Sequence, residues 1–510
     1  MNSDQVKEEK SDGNVINGYV NMNSKPVEIS MRKTNWRSIY LITAFTFLDG
    51  IQFSMFFISL WPYLNTIDPT ASVTFFGIIT AGFSFGQAIS APLFGFWMNK
   101  AKTIRPVLCF AFILMLVSNG VYACTEFFPQ HQRKYIMLVA RFLIGFGAGD
   151  MAVMRAYSAT ASNIKDRARA VSLVTSSYVF GLVVGPGLQV IFEPFGYPGF
   201  KLFGLFHFDM YTAPAWFSAL TDLLSIILLW TIFVEEYAGI LTKEEKNNPL
   251  ITLPKPKKLP ISICIATRFS ASFIITNNET VGTMFCMAMF DWTNKEAVKY
   301  FGLIQLGQSV VNVFISLSFA WKLGDYVNIH NKERITTIIG LTTGLIYHLV
   351  TFAWPFLPEK VSGYVVYSNS STTEIIGCYK SEYSWCNYTH QVPLLAYILG
   401  NILLRSFTFP VTLTPMAILY SKILGSRRQG TMTGILFMSG SIARIIGPIL
   451  VSIIFEHYGP EATWSIQIGV IFITILLWII FYSKIVPLET SPKLKPGESY
   501  KYSNGIKYKL

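Results

Sequence analysis

Apolar residues fall in twelve long runs separated by short polar stretches. The runs cover residues 39–64, 73–97, 106–126, 135–158, 170–192, 213–234, 262–289, 301–321, 335–357, 393–419, 430–455 and 463–485. About 20 apolar residues at ~1.5 Å rise each cross a bilayer. Every run reaches that length, so each is predicted to be a transmembrane helix. Lipid offers backbone N–H and C=O groups no partners, and a helix satisfies them internally. The expected fold class is therefore an all-α membrane protein of twelve transmembrane helices. The polar remainder divides it into an N-terminal tail (1–36), a six-helix half (37–235), a linker (236–260), a second six-helix half (261–486) with a large loop at 358–392, and a C-terminal tail (487–510). Pro249, Pro254, Pro256 and Pro260 mark the linker.

Charged residues make up only 14% of the chain, against roughly 25% in soluble domains. That deficit excludes a soluble enzyme. The net charge of +12 does not indicate nucleic acid, because the positive residues gather at alternate helix ends. Arg32, Lys33 and Arg37 lie before the first span. Lys100, Lys102 and Arg105 follow the second, and Lys165, Arg167 and Arg169 follow the fourth. Lys255, Lys257 and Lys258, then Lys332 and Arg334, then Lys422, Arg427 and Arg428 continue the series. The positive-inside rule places both termini in the cytoplasm. Residues 1–30 have no apolar segment of the signal-peptide kind, so the first span is expected to act as an uncleaved anchor.

The loop at 358–392 then faces an oxidising lumen. Cys378 and Cys386 share it and are expected to form a disulfide. Asn369 and Asn387 begin glycan acceptor sequons in the same loop. Cys109, Cys124, Cys264 and Cys286 read as small core residues. The histidines show no metal-ligand spacing and no Walker loop is present, so no cofactor or metal is expected. Gly82-Phe-Ser-Phe-Gly86 fits a nucleophile-elbow pattern, but it lies inside a span, where the required strand-to-helix turn cannot form.

The two halves resemble each other. Tyr157-Ser158, a basic loop and Gly185-Pro186 match Tyr420-Ser421, a basic loop and Gly447-Pro448. Parallel repeats of this kind place a substrate site at their interface. Gly145, Gly147 and Gly149 are expected to lie along one face of the fourth span, with Gly181 and Gly185 on the fifth. Small faces let helices approach closely in lipid, and Pro186 removes a backbone hydrogen bond where a helix can bend.

Charge inside the spans is the sharpest chemical signal, since each such residue costs about 2.5–3.5 kcal/mol at the bilayer centre on insertion scales. The residues are Asp49, Arg141, Asp150, Arg155, Asp222, Glu279, Arg405 and Arg444. Arg141 and Arg155 are 14 residues apart, about 40° from a shared face of a continuous helix. That stripe is expected to line an anion path.

The six-plus-six plan resembles the major facilitator superfamily. Arg141-Phe-Leu-Ile-Gly145-Phe-Gly147-Ala-Gly149 looks like its helix-4 signature, and Gly181-Leu-Val-Val-Gly185-Pro186 like its helix-5 signature. In that fold helices 1, 4, 7 and 10 line a central cavity, which implies lining roles for Asp49, Arg141, Glu279 and Arg405 and a structural role for Asp222. The family's loop after helix 2 carries an acid where this chain has Asn99, a departure that weakens its charge-relay gate. Within the superfamily, Trp61-Pro-Tyr-Leu64, Asp68-Pro-Thr-Ala71, Met210-Tyr-Thr212, Trp385-Cys386 and Ser439-Gly-Ser-Ile-Ala-Arg444 resemble the lysosomal ceroid-lipofuscinosis neuronal protein seven group. That resemblance implies a lysosomal or endosomal membrane and a chloride conductance. The group's acidic dileucine sorting signal has no counterpart here; Tyr19-Val-Asn-Met22 fits a tyrosine-based one.

These readings point to a protein that passes a small anion, chloride foremost, between two six-helix halves in a lipid bilayer. The expected pathway residues are Arg141, Arg155, Glu279, Asp49, Arg405 and Arg444. The rival readings are a proton-coupled carrier of a small organic solute and a non-transporting receptor or scaffold.

Overall fold

The computed structural model describes residues 32–71, 73–163, 165–202, 206–241, 254–367, 373–378, 383–488, 500–503 and 506–509. The tail motif at Tyr19, residues 242–253 of the linker and Asn369 lie outside them.

Spans 1, 2 and 3 are the helices Trp36–Ile67, Val73–Ala101 and Arg105–Ala123. Span 4 is two helices, Gln130–Gly147 and Asp150–Ala161. Spans 5, 6 and 7 are Arg167–Phe192, Ala213–Thr231 and Lys258–Phe290. Span 8 joins Asn294–Ser318 to Gly324–Ile329 through a π-helical turn, Phe319–Leu323. Span 9 is Glu333–Val350, and span 10 joins Leu394–Leu399 to Ser406–Leu424 through a second π-helical turn, Gly400–Arg405. Spans 11 and 12 form the run Gly430–Ile480, which turns at Gly459, where φ is 77°. Glycine alone adopts that backbone without a Cβ penalty. Short antiparallel hairpins lie between spans 5 and 6 (Phe200–Leu202 with Phe206–Phe208) and in the large loop (Gly363–Tyr367 with Thr373–Gly377).

One end of the bundle carries residues 32–35 and the segment after Ile480; this is the tail side. The other carries the large loop, where the Cys378 and Cys386 sulfurs lie 1.98 Å apart.

Matching glycines hold each half together. A Cβ on Gly181 of span 5 would lie 2.3 Å from the Phe47 carbonyl of span 1, and Gly185 meets Ser54. In the second half Gly440 and Gly447 of span 11 meet Ser272 and Asn277 of span 7. The repeat legible in the sequence thus packs span 5 on span 1 as span 11 packs on span 7. The fourth-span glycines do not share one face, however. Gly145 and Gly149 meet Phe83 and Ser90 of span 2, whereas Gly147 meets Met115 of span 3. Residues two apart on a helix point in nearly opposite directions.

On the loop side each half has its own core, one around Tyr63 and Tyr122, the other around Phe285 and Trp464. On the tail side the cores join: Ala159, Ala168 and Val171 of the first half pack with Ala417 and Ile418 of the second. Hydrogen bonds between the halves, among the described residues, run from Gln87 at the middle of span 2 to the tail side. They include Ser176 Oγ to the Ser316 carbonyl at 2.7 Å and Asn99 Nδ2 to Thr431 Oγ1 at 2.8 Å. The bundle is therefore sealed on the tail side and parted on the loop side.

Candidate functional site

The seal ends part-way along the spans in a group of cationic side chains. Arg155 of span 4 lies over the ring of Phe437 of span 11 at 4.8 Å, and Arg268 of span 7 lies over the same ring at 5.1 Å. Arg444, two turns further along span 11, stacks on Phe53 of span 1 at 5.8 Å. Its Nη2 donates to Gln87 Oε1 and to Ser441 Oγ, the latter at 3.2 Å. Gln87 Nε2 donates to the Ala148 carbonyl at 2.9 Å. That carbonyl belongs to the interruption of span 4, so the break supplies an acceptor that a continuous helix would use itself. The Tyr178 hydroxyl of span 5 is within electrostatic reach of all three guanidinium groups and of Asp49.

Among the described residues no carboxylate lies within 4.0 Å of Arg155, Arg268 or Arg444. Like charges gathered around one ring repel by on the order of a few kcal/mol at an effective dielectric near 20. Aromatic faces return about 0.5–2 kcal/mol per cation. The group is therefore short of negative charge. Glu279, on the same face of span 7 as Arg268, three turns away, presents its side chain at the surface of its helix and lies within electrostatic reach of Arg405 and Arg444.

The other sequence-predicted residues are distributed around this centre. Arg141 does not join Arg155. It is 3% exposed inside the first half, with its guanidinium 5.1 and 5.0 Å from the rings of Phe56 and Phe83. The break at Gly147–Gly149 interrupts the stripe that a continuous helix would have carried. Asp49 and Tyr178 line a small void of about 10 Å³. Asp222 accepts from Asn119 Nδ2 at 3.1 Å and Gln52 Nε2 at 3.5 Å, a structural setting, while Asp150 is fully buried beside the Met151 backbone N–H. Arg405 closes the second π-helical turn and donates to Asn401 Oδ1 at 3.3 Å, an atom that also accepts from Tyr347. Asn99 keeps the tail-side gate without charge, because its Oδ1 accepts from Gly430 N at 3.1 Å while its amide donates to Thr431.

Sequence reasoning missed Arg268, Tyr178, Gln87 and Phe437. Arg268 was accessible in principle: 11 residues before Glu279, it shares a helix face with it to within about 20°. Gln87 and Phe437 carry no charge to mark them inside an apolar run.

The sequence profile of the major facilitator superfamily matches residues 42–373 and 384–505. The chain belongs to the major facilitator superfamily. It is 30% identical over 486 residues to major facilitator superfamily domain-containing protein 8 of Xenopus laevis, covering 90% of this chain and 93% of that one. Multidrug resistance protein 2 of Bacillus subtilis (strain 168) is 23% identical over 254 residues, 49% of this chain and 58% of its own. Among solved structures, the human organic anion transporter MFSD10 superposes with a TM-score of 0.60 at 16% identity, covering 87% of this chain and 99% of that one. A bacterial homologue of the iron transporter ferroportin, in its outward-facing state, gives 0.63 at 9% identity, covering 87% and 99%. This facilitator is thus a multi-pass membrane transporter with the family fold, and not an enzyme.

Proposed function

We propose that the protein is an alternating-access carrier of a small anion, with chloride as its simplest cargo. One observation carries the reading: three guanidinium groups contributed by both halves converge at the end of the seal with, among the described residues, no carboxylate within 4.0 Å of any of them. Positive charge in a membrane interior calls for a partner, and a mobile anion arriving from the open loop side supplies one. Contributions from both halves are what alternating access requires, since the site must be held by whichever gate is shut. The sealed tail side favours a carrier over a continuously open pore. Arg155, Arg268 and Arg444 bind the anion, Tyr178 donates to it, and Glu279 filters what approaches.

The protein resides in a lysosomal or endosomal membrane with both termini cytoplasmic. The alternating distribution of Lys and Arg supports that orientation. The Cys378–Cys386 disulfide and glycans on Asn369 and Asn387 belong to the luminal side in this reading.

Purified protein in liposomes tests it. Chloride uptake against a counterflow gradient is expected, falling at least about tenfold in Arg155→Gln and Arg268→Gln, since one lost charge contact of about 1.4 kcal/mol is tenfold. Unaltered uptake in both variants refutes the anion site. Uptake of an organic solute driven by a proton gradient, with no chloride flux, selects the rival carrier.

A further inference from the structure

Phe437 is the one residue of the second half among the buried members of the first half's tail-side core. It is 3% exposed and packs in the cluster that holds Met151, Met154 and Tyr157. Its ring receives one guanidinium from each half, Arg155 from the first and Arg268 from the second. Its carbonyl, at 3.2 Å, shares the single Ser441 hydroxyl proton with Gln87 Oε1, at 3.1 Å. The ring is thus a wedge driven across the interface, clamped by the two cations that the anion reading assigns to cargo.

Resting on that reading, we propose that Phe437 is the positioning residue that converts anion occupancy into opening of the tail side. The ring face is the substitute counter-charge for Arg155 and Arg268 in this arrangement. A bound anion is a far stronger partner for a guanidinium than a π-face. The anion draws both groups off the ring. The ring then loses the clamp that seats it in the opposite half, and span 11 is free to part from spans 2 and 4. A ligand shifts such an equilibrium only through its different affinity for the two states. The exchange of partners at the ring is that difference.

The test uses full-length protein in nanodiscs, with spin labels on exposed Lys165 and Lys332, one on the tail side of each half. Chloride is titrated against gluconate at constant ionic strength. Distances report tail-side opening, and thermal protection reports binding separately. In the wild type and in Phe437→Trp, which keeps a ring, chloride is expected to raise the open population between about 5- and 150-fold, the usual range of allosteric coupling. In Phe437→Leu the shift is expected to shrink to about twofold or less, with thermal protection by chloride retained. Phe437→Met is a second ringless variant should the first misfold. A ringless variant that responds like the wild type overturns the role of Phe437 and leaves the anion site standing. A wild type in which chloride changes neither the distances nor the melting temperature overturns the anion reading, and this proposal with it.

Discussion

Replacing Gly95 by alanine should jam the tail-side gate. Spans 2 and 11 meet there backbone to backbone: a Cβ on Gly95 would stand 2.2 Å from the Gly430 carbonyl oxygen, and a Cβ on Gly430 would stand 2.5 Å from the Gly95 carbonyl oxygen. Ordinary contact begins at 3.4 Å, so the spans must move apart by about an ångström. Overpacking of this kind costs about 1–3 kcal/mol. The clash exists only while the tail side is shut, so the whole penalty falls on that state. The equilibrium then moves roughly 5- to 150-fold toward the tail-open form, at about 1.4 kcal/mol per factor of ten. A cysteine at Ala159, which lies in the joined core with Ala417 and Ile418, reports the change through its rate of maleimide alkylation from the tail side. Cys109, Cys124, Cys264 and Cys286 are replaced beforehand. Gly77→Ala is the control, since no heavy atom lies within 4 Å of its Cβ position. Equal alkylation rates in Gly95→Ala and Gly77→Ala would refute the assignment of this contact as the gate.

Lys422 pairs with Glu333, a carboxylate only 1% exposed at the tail ends of spans 9 and 10. Lys422→Met should lower stability by about 3–5 kcal/mol by stranding that charge, and Glu333→Gln in the same chain should restore much of the melting temperature. At the loop-side end of the first half, burial raises the Glu126 carboxyl above its ordinary value, although the attraction of His207, 3.4 Å away, opposes the rise. Burial likewise raises Asp209. A raised acid binds its proton more tightly folded than unfolded. Stability should therefore fall as pH climbs from the ordinary carboxyl range through the raised values, and return on acidification. Glu126→Gln should flatten that slope in a melting-temperature series against pH. Asn387 is exposed in the large loop; Asn387→Gln should remove one glycosidase-sensitive step in gel mobility, and an unchanged ladder would exclude a glycan there.

The membrane architecture was legible because lipid enforces it: each apolar run has its helix, and the paired Gly-Pro repeats correspond to equivalent packing of span 5 on span 1 and span 11 on span 7. The interruptions were not legible. Span 4 breaks at Gly147–Gly149, where residues flanking the turn face different neighbours, and periodicity assumes a continuous helix. That assumption put Arg141 and Arg155 on one stripe, whereas the structure sends one to the phenyl rings of its own half and the other to a ring across the interface. Arg444 was visible as a charge in an apolar run, but its partner Gln87 was not, because an amide barely disturbs hydropathy. The loss of the acid at position 99 suggested a weakened gate; the structure gives the amide two hydrogen bonds that a carboxylate could not make together, since one of them needs a donor.

That neutral bolt has a physiological corollary. Coulombic latches loosen when counter-ions crowd in, because screening acts within about 8 Å at physiological salt. Asn99, Gly430 and Thr431 offer such ions no charge to screen and no proton to exchange near neutral pH. That one contact can therefore ignore swings in the electrolyte bathing that face and leave its release to the anion site deeper between the halves.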